Sequence, residues 1–78
     1  MVVWKLLDTT NKEMAHYIGE DLEIQIVGDS LHARKAKHMY GMRTSSIQGI
    51  YPYDDNLMVK TKNSKYFFKP INVDLAEE

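Results

Sequence analysis

The chain has no cysteine, so neither a disulfide framework nor a thiolate metal site can support a domain of only 78 residues. A chain of this size buries about 60% of its unfolded surface, a thin margin that self-association into a homo-oligomer would supplement. There is room for one core: residues 1–72 read as a single small β domain and residues 73–78 as an acidic tail expected to fray. Long hydrophobic runs are missing too. Residues 1–7 are apolar for too short a stretch to span a bilayer, and neither a basic region nor a small-residue cleavage site marks a secretory signal. The expected location is the cytoplasm, whose reducing conditions fit a cysteine-free chain, and no membrane partner is expected. Charge of one sign is also lacking: a net charge of -1 argues against non-specific coating of nucleic acid by a basic domain, while leaving room for a local basic patch.

Chemical motifs are scarce. His16, His32 and His38 come without cysteine, the serines show no nucleophile-elbow glycine pattern, and there is no Gly-rich phosphate loop. His32 and His38 have a spacing seen in some zinc sites, but without a second pair of ligands surface histidines are the simpler reading. Asp54 and Asp55 are adjacent carboxylates of a turn, and acid–base work would need a pocket that raises one pKa, which so small a core can hardly enclose. The expectation is a protein that is not an enzyme, with no catalytic residue, metal or cofactor.

What is present is alternation. Residues 57–70 read as a β-hairpin; a two-residue turn at Asn63-Ser64 would pair Lys62 with Lys65, Thr61 with Tyr66, Lys60 with Phe67, Val59 with Phe68 and Met58 with Lys69. Leu57, Val59, Thr61, Tyr66, Phe68 and Pro70 then share a core face, and Met58, Lys60, Lys62, Lys65, Phe67 and Lys69 share a solvated one. A one-residue slip would scramble both faces. In residues 21–27, Leu22, Ile24 and Ile26 alternate with Glu23, Gln25 and Val27, and a Gly28-Asp29 turn sets Ile26 opposite Leu31, Ile24 opposite Ala33 and Glu23 opposite Arg34.

The remaining segments are less explicit. Residues 2–7 read as a strand that carries Trp4 into the core. Residues 13–18 read as a returning strand, although Thr10 and Glu13 have the spacing of a capping box for a short helix. Residues 31–40 have helix propensity but no continuous apolar stripe, which favours a strand. An exposed loop or strand end follows over 37–43, then a strand over 44–51 with Gly49 as a bulge, then an Asp-rich turn over 52–56. About five to seven short strands with tight turns predict a mainly β fold. Its form would be a small antiparallel curled sheet or SH3-like barrel, with one short helix as an option.

Two basic surfaces are the functional candidates. Arg34, Lys37, His38 and Arg43 are interleaved with Met39, Tyr40 and Met42, a mixture that marks contact surfaces when exposed. This gives the first reading: a non-enzymatic accessory or regulatory module that binds another protein through this loop or an exposed strand. The competing role for Met39 or Met42 is to fill the core. The alternative reading is single-stranded nucleic acid held by Lys60, Lys62, Lys65 and Lys69 around Phe67. Lysines that merely guard a strand edge would look the same in sequence. Tyr51 and Tyr53, which flank Pro52, form either a recognition corner or end packing.

Overall fold

The structure, a computed structural model, describes residues 2–35 and 41–72. Its elements are β1 (Val2–Thr9), a short 3-10 helix (Lys12–Tyr17), β2 (Asp21–Val27), β3 (Ser30–Arg34), β4 (Gly41–Arg43), β5 (Ile47–Tyr53), β6 (Asn56–Thr61) and β7 (Lys65–Asn72). All seven strands join one antiparallel sheet in the order β4-β3-β2-β1-β7-β6-β5. Every strand therefore lies beside its neighbour in the chain except β4 and β5, which form the two edges, while β1 and β7 meet in the middle. The fold is mainly β and the sheet is not closed, so the curled-sheet form of the expectation holds and the closed barrel does not.

Curling has local causes. Register shifts interrupt β1–β7 between Val3 and Trp4 and between Leu6 and Asp8, and β5–β6 between Ile47 and Gly49. Each such irregularity bends the ladder and increases its twist. The connector from β4 to β5 then draws the two edges together at one end. Thr44 N–H donates to the Leu31 carbonyl (3.0 Å), Ile47 N–H to the Asp29 carbonyl (2.6 Å) and Lys62 N–H to the Ser46 carbonyl (2.9 Å). Residues 44–46, expected within a strand, are this connector instead.

The inner face buries one cluster: Leu6, Leu22, Leu31, Ala33, Met42, Val59, Tyr66 and Phe68, with Trp4, Met14, Tyr17, Ile24 and Ile47 packed against it. Trp4 goes to the core as expected, its ring centroid 5.3 Å from that of Phe68. Fully burying a leucine or phenylalanine is worth about 1.5–3 kcal/mol, against a total stability of roughly 5–15 kcal/mol for a domain. A slip that turned even a few of these side chains outward would therefore cancel the fold, so parity along each strand is firmly set.

The β2–β3 hairpin has the expected register, with Ile26 opposite Leu31, Ile24 opposite Ala33 and Glu23 opposite Arg34. Gly28 supplies the left-handed conformation of its turn (φ 63°). The strand reading of 31–40 holds through Arg34; residues 36–40 and the tail at 73–78 lie outside the described residues. The β6–β7 register is a correction: Lys60 pairs with Lys65, Val59 with Tyr66, Met58 with Phe67 and Leu57 with Phe68. The turn is wider than two residues because Thr61 closes it. Thr61 N–H and Oγ1 both donate to the Ser64 carbonyl (2.8 and 3.0 Å), and Ser64 N–H donates back to Thr61 Oγ1 (3.2 Å). Each residue of β7 has moved by two positions against β6, so the pairing changes while both faces survive.

Residues 13–18, expected as a strand, lie mostly within the 3-10 helix. Its cap is Asn11, whose Oδ1 accepts from Glu13 N–H (2.9 Å) while Nδ2 donates to the buried Tyr66 hydroxyl (3.0 Å). Such side-chain bonds compete with a sheet ladder for the local backbone. Thr10, the residue expected to cap, instead accepts Lys65 N–H on its Oγ1 (2.9 Å). Residues 41–43 form the edge strand β4, and β5 runs through Pro52 to Tyr53, leaving Asp54 and Asp55 as the turn, with Asp54 at φ 55°. Proline is tolerated in β5 because the strand is an edge.

Candidate nucleic-acid interface

The outer face of β5, β6, β7 and β1 is built by register. Tyr51 pairs with Met58, Met58 with Phe67 and Phe67 with Asp8, so two aromatic rings and a thioether lie in one row across the strands. On one side of this row Lys60 faces Lys65, and on the other Lys69 faces Lys5. An apolar stripe thus runs between two rows of lysine. Tyr53, one same-face step from Tyr51, reaches over to Phe67 in an edge-to-face contact (centroids 5.2 Å apart, 61° between planes). Tyr51 and Tyr53 are 46% and 54% exposed, while Phe67 and Met58 are half-buried. Gly49 lets the Tyr51 ring lie down on the strand, since a side chain at 49 would collide with that ring.

The cations differ in how they are held. Lys60 Nζ donates to Gln48 Oε1 (2.8 Å), and Lys5 pairs with Asp21 (3.7 Å). Among the described residues no carboxylate forms an ion pair with Lys62, Lys65 or Lys69. Lys62 projects from the turn instead of the strand; with Lys60, Lys65, Thr10 and Asn63 it lines a shallow depression of about 220 Å³. Lys60 directly opposite Lys65 is a repulsive pair that a bound anion would relieve. Asp8 closes the row at β1 and Asp54 and Asp55 lie at the β5–β6 turn, so the cationic band is short.

Edge protection does not explain these lysines. β6 and β7 are interior strands, each paired on both sides, and the real edge, β5, is blunted by Pro52 and by its irregularity before Gly49. Tyr51, Tyr53 and Lys5 are the members of this surface that sequence reasoning did not assign to it, whereas Met58 falls on its solvated face by parity. Tyr51 and Tyr53 share parity around Pro52, a signal that becomes usable only if Pro52 is allowed inside a strand.

Of the other basic run, Arg34, Met42 and Arg43 lie among the described residues. Met42, expected on a contact surface, is 2% exposed because it faces inward from β4 opposite Ala33, and it belongs to the core. Arg34 and Arg43 are exposed, Arg34 with its Nε 3.4 Å from Glu23 Oε1. Lys37, His38, Met39 and Tyr40 lie outside the described residues. Among the described residues no three His, Asp or Glu side chains come together as metal ligands, and no helix is long and apolar enough to cross a membrane. No protein-family model matches the chain, and no curated protein or solved structure gives a significant match to it.

Proposed function

We propose that this protein is a non-enzymatic binding module that holds single-stranded nucleic acid on the outer face of β5, β6, β7 and β1. The observation that carries this reading is the stripe of Tyr51, Met58 and Phe67, overlaid by Tyr53, between lysine rows on strands that have no edge to guard. Unpaired bases stack on the rings, and Lys60, Lys65 and Lys69 take the phosphates, joined by Lys62 from the turn. Stacking of this kind tolerates any base, so the expected specificity is for single strands over duplex, not for sequence. A second reading, a protein partner at the other basic run, rests among the described residues on the exposed Arg34 and Arg43. With no cysteine to oxidise, the chain suits the cytoplasm, where we place it.

Fluorescence anisotropy of a labelled oligothymidylate tests the reading. If three or four phosphates are neutralised, log K should fall against log salt with a slope of about -2 to -3. Phe67→Ala should weaken binding roughly 5- to 150-fold, the equivalent of about 1–3 kcal/mol of lost stacking. Lack of saturable binding at low salt, or an affinity indifferent to Phe67→Ala, would exclude this function.

A further inference from the structure

We infer that the opposite half of the sheet carries a second, separate binding site, a trough that fits an extended acidic peptide. The register lays two side-chain rows across β2, β3 and β4 on the outer face: Glu23, Arg34 and Gly41 in one, Gln25, His32 and Arg43 in the other. Between them runs the row of Ile24, Ala33 and Met42. The side chains of Ala33 and Met42 are 2% exposed on the inner side, so what they offer the outer face is main chain. The result is an open concavity of about 750 Å³ lined by these rows, reaching Val2 of β1 at its far end.

Its shape and chemistry select the occupant. Four strands at about 4.8 Å spacing make a trough roughly 14 Å long, the span of four or five extended residues. It is open along its length, which suits a chain laid across it better than an enclosed small molecule. Gln25 and His32 can both donate to and accept from peptide amides. Arg43, which has no ion-pair partner among the described residues, offers a planar fork for a carboxylate. Arg34 is already engaged by Glu23, which leaves Arg43 as the cation that meets a peptide carboxylate. Among the described residues no Phe, Tyr or Trp lines the trough, so those residues offer bases no aromatic platform.

The test uses the full chain at low ionic strength and two labelled peptides of about eight residues, one alternating glutamate and glycine, the other with glutamine in place of glutamate. The glutamate peptide should bind saturably and the glutamine peptide at least tenfold more weakly. Arg43→Gln should weaken the glutamate peptide about tenfold or more, as loss of a charge-assisted bond implies, while Phe67→Ala leaves it unchanged. Oligothymidylate should not displace it. Equal binding of the two peptides, no effect of Arg43→Gln in a variant with unaltered melting temperature, or displacement by oligothymidylate would overturn the proposal. Because Phe67 and Arg43 lie on different halves of the sheet, failure here leaves the oligonucleotide result to stand or fall alone.

Discussion

Replacing Asn11 probes a side chain that hydrogen-bonds both to the 3-10 helix and to a core tyrosine. Asn11→Ala removes two bonds at once, the cap to Glu13 N–H and the donor to the Tyr66 hydroxyl. A lost cap costs about 1 kcal/mol. A hydroxyl on a residue only 1% exposed, left without that partner, costs about 1–2 kcal/mol more. The sum of about 2–3 kcal/mol corresponds to a fall in Tm of roughly 8–24 °C for a domain of this size. Asn11→Asp should stay within about 1 kcal/mol of the parent, because a carboxylate still caps and can accept from the Tyr66 hydroxyl in place of donating to it. Tyr66→Phe should cost about 1 kcal/mol, since Asn11 is half-buried and its freed amide can find water. Thermal and urea unfolding followed by circular dichroism measures all three. The reasoning fails if Asn11→Asp is as damaging as Asn11→Ala, or if Asn11→Ala changes stability by less than about 0.5 kcal/mol.

Two further substitutions test the packing. Gly41→Ala should destabilise by about 2 kcal/mol or more, because a Cβ there would collide with the Ala33 carbonyl oxygen and lie 2.6 Å from Arg34 Cα and Cβ; urea unfolding that finds it neutral would place β4 further from β3. Thr44→Val keeps the volume but takes the acceptor from Leu31 N–H (3.0 Å to Thr44 Oγ1), so it should cost about 1–3 kcal/mol in the same assay, and a neutral result would mean that this amide is satisfied elsewhere.

What the sequence disclosed and what it withheld divide along physical lines. The β2–β3 hairpin is legible to the residue because Gly28-Asp29 makes a two-residue turn and fixes the register outright. In the β6–β7 hairpin the faces are legible and the partners are not: side-chain parity is written in the alternation, but turn length depends on Thr61 closing onto Ser64. The same limit hid half of the proposed site. Lys60, Lys65, Phe67 and Lys69 share a face by parity alone, whereas Tyr53 meets Phe67 only through the β5–β6 register, which is set by the Asp54-Asp55 turn and by Pro52 standing inside a strand. The short helix at 12–17 is not legible in the sequence because its cap, Asn11, bonds both to its own first turn and to a tyrosine far along the chain. The basic neighbours of Met42 suggest a contact surface, yet position 42 faces inward opposite Ala33.

The most direct test of the outer face as the seat of nucleic acid is a map of backbone amide chemical shifts during titration with oligothymidylate. The account requires the largest changes at Tyr51, Tyr53, Met58, Phe67 and Lys69, with little movement at Gln25, His32 and Arg43. Changes centred on the latter three, or spread evenly over the chain without saturation, would contradict it.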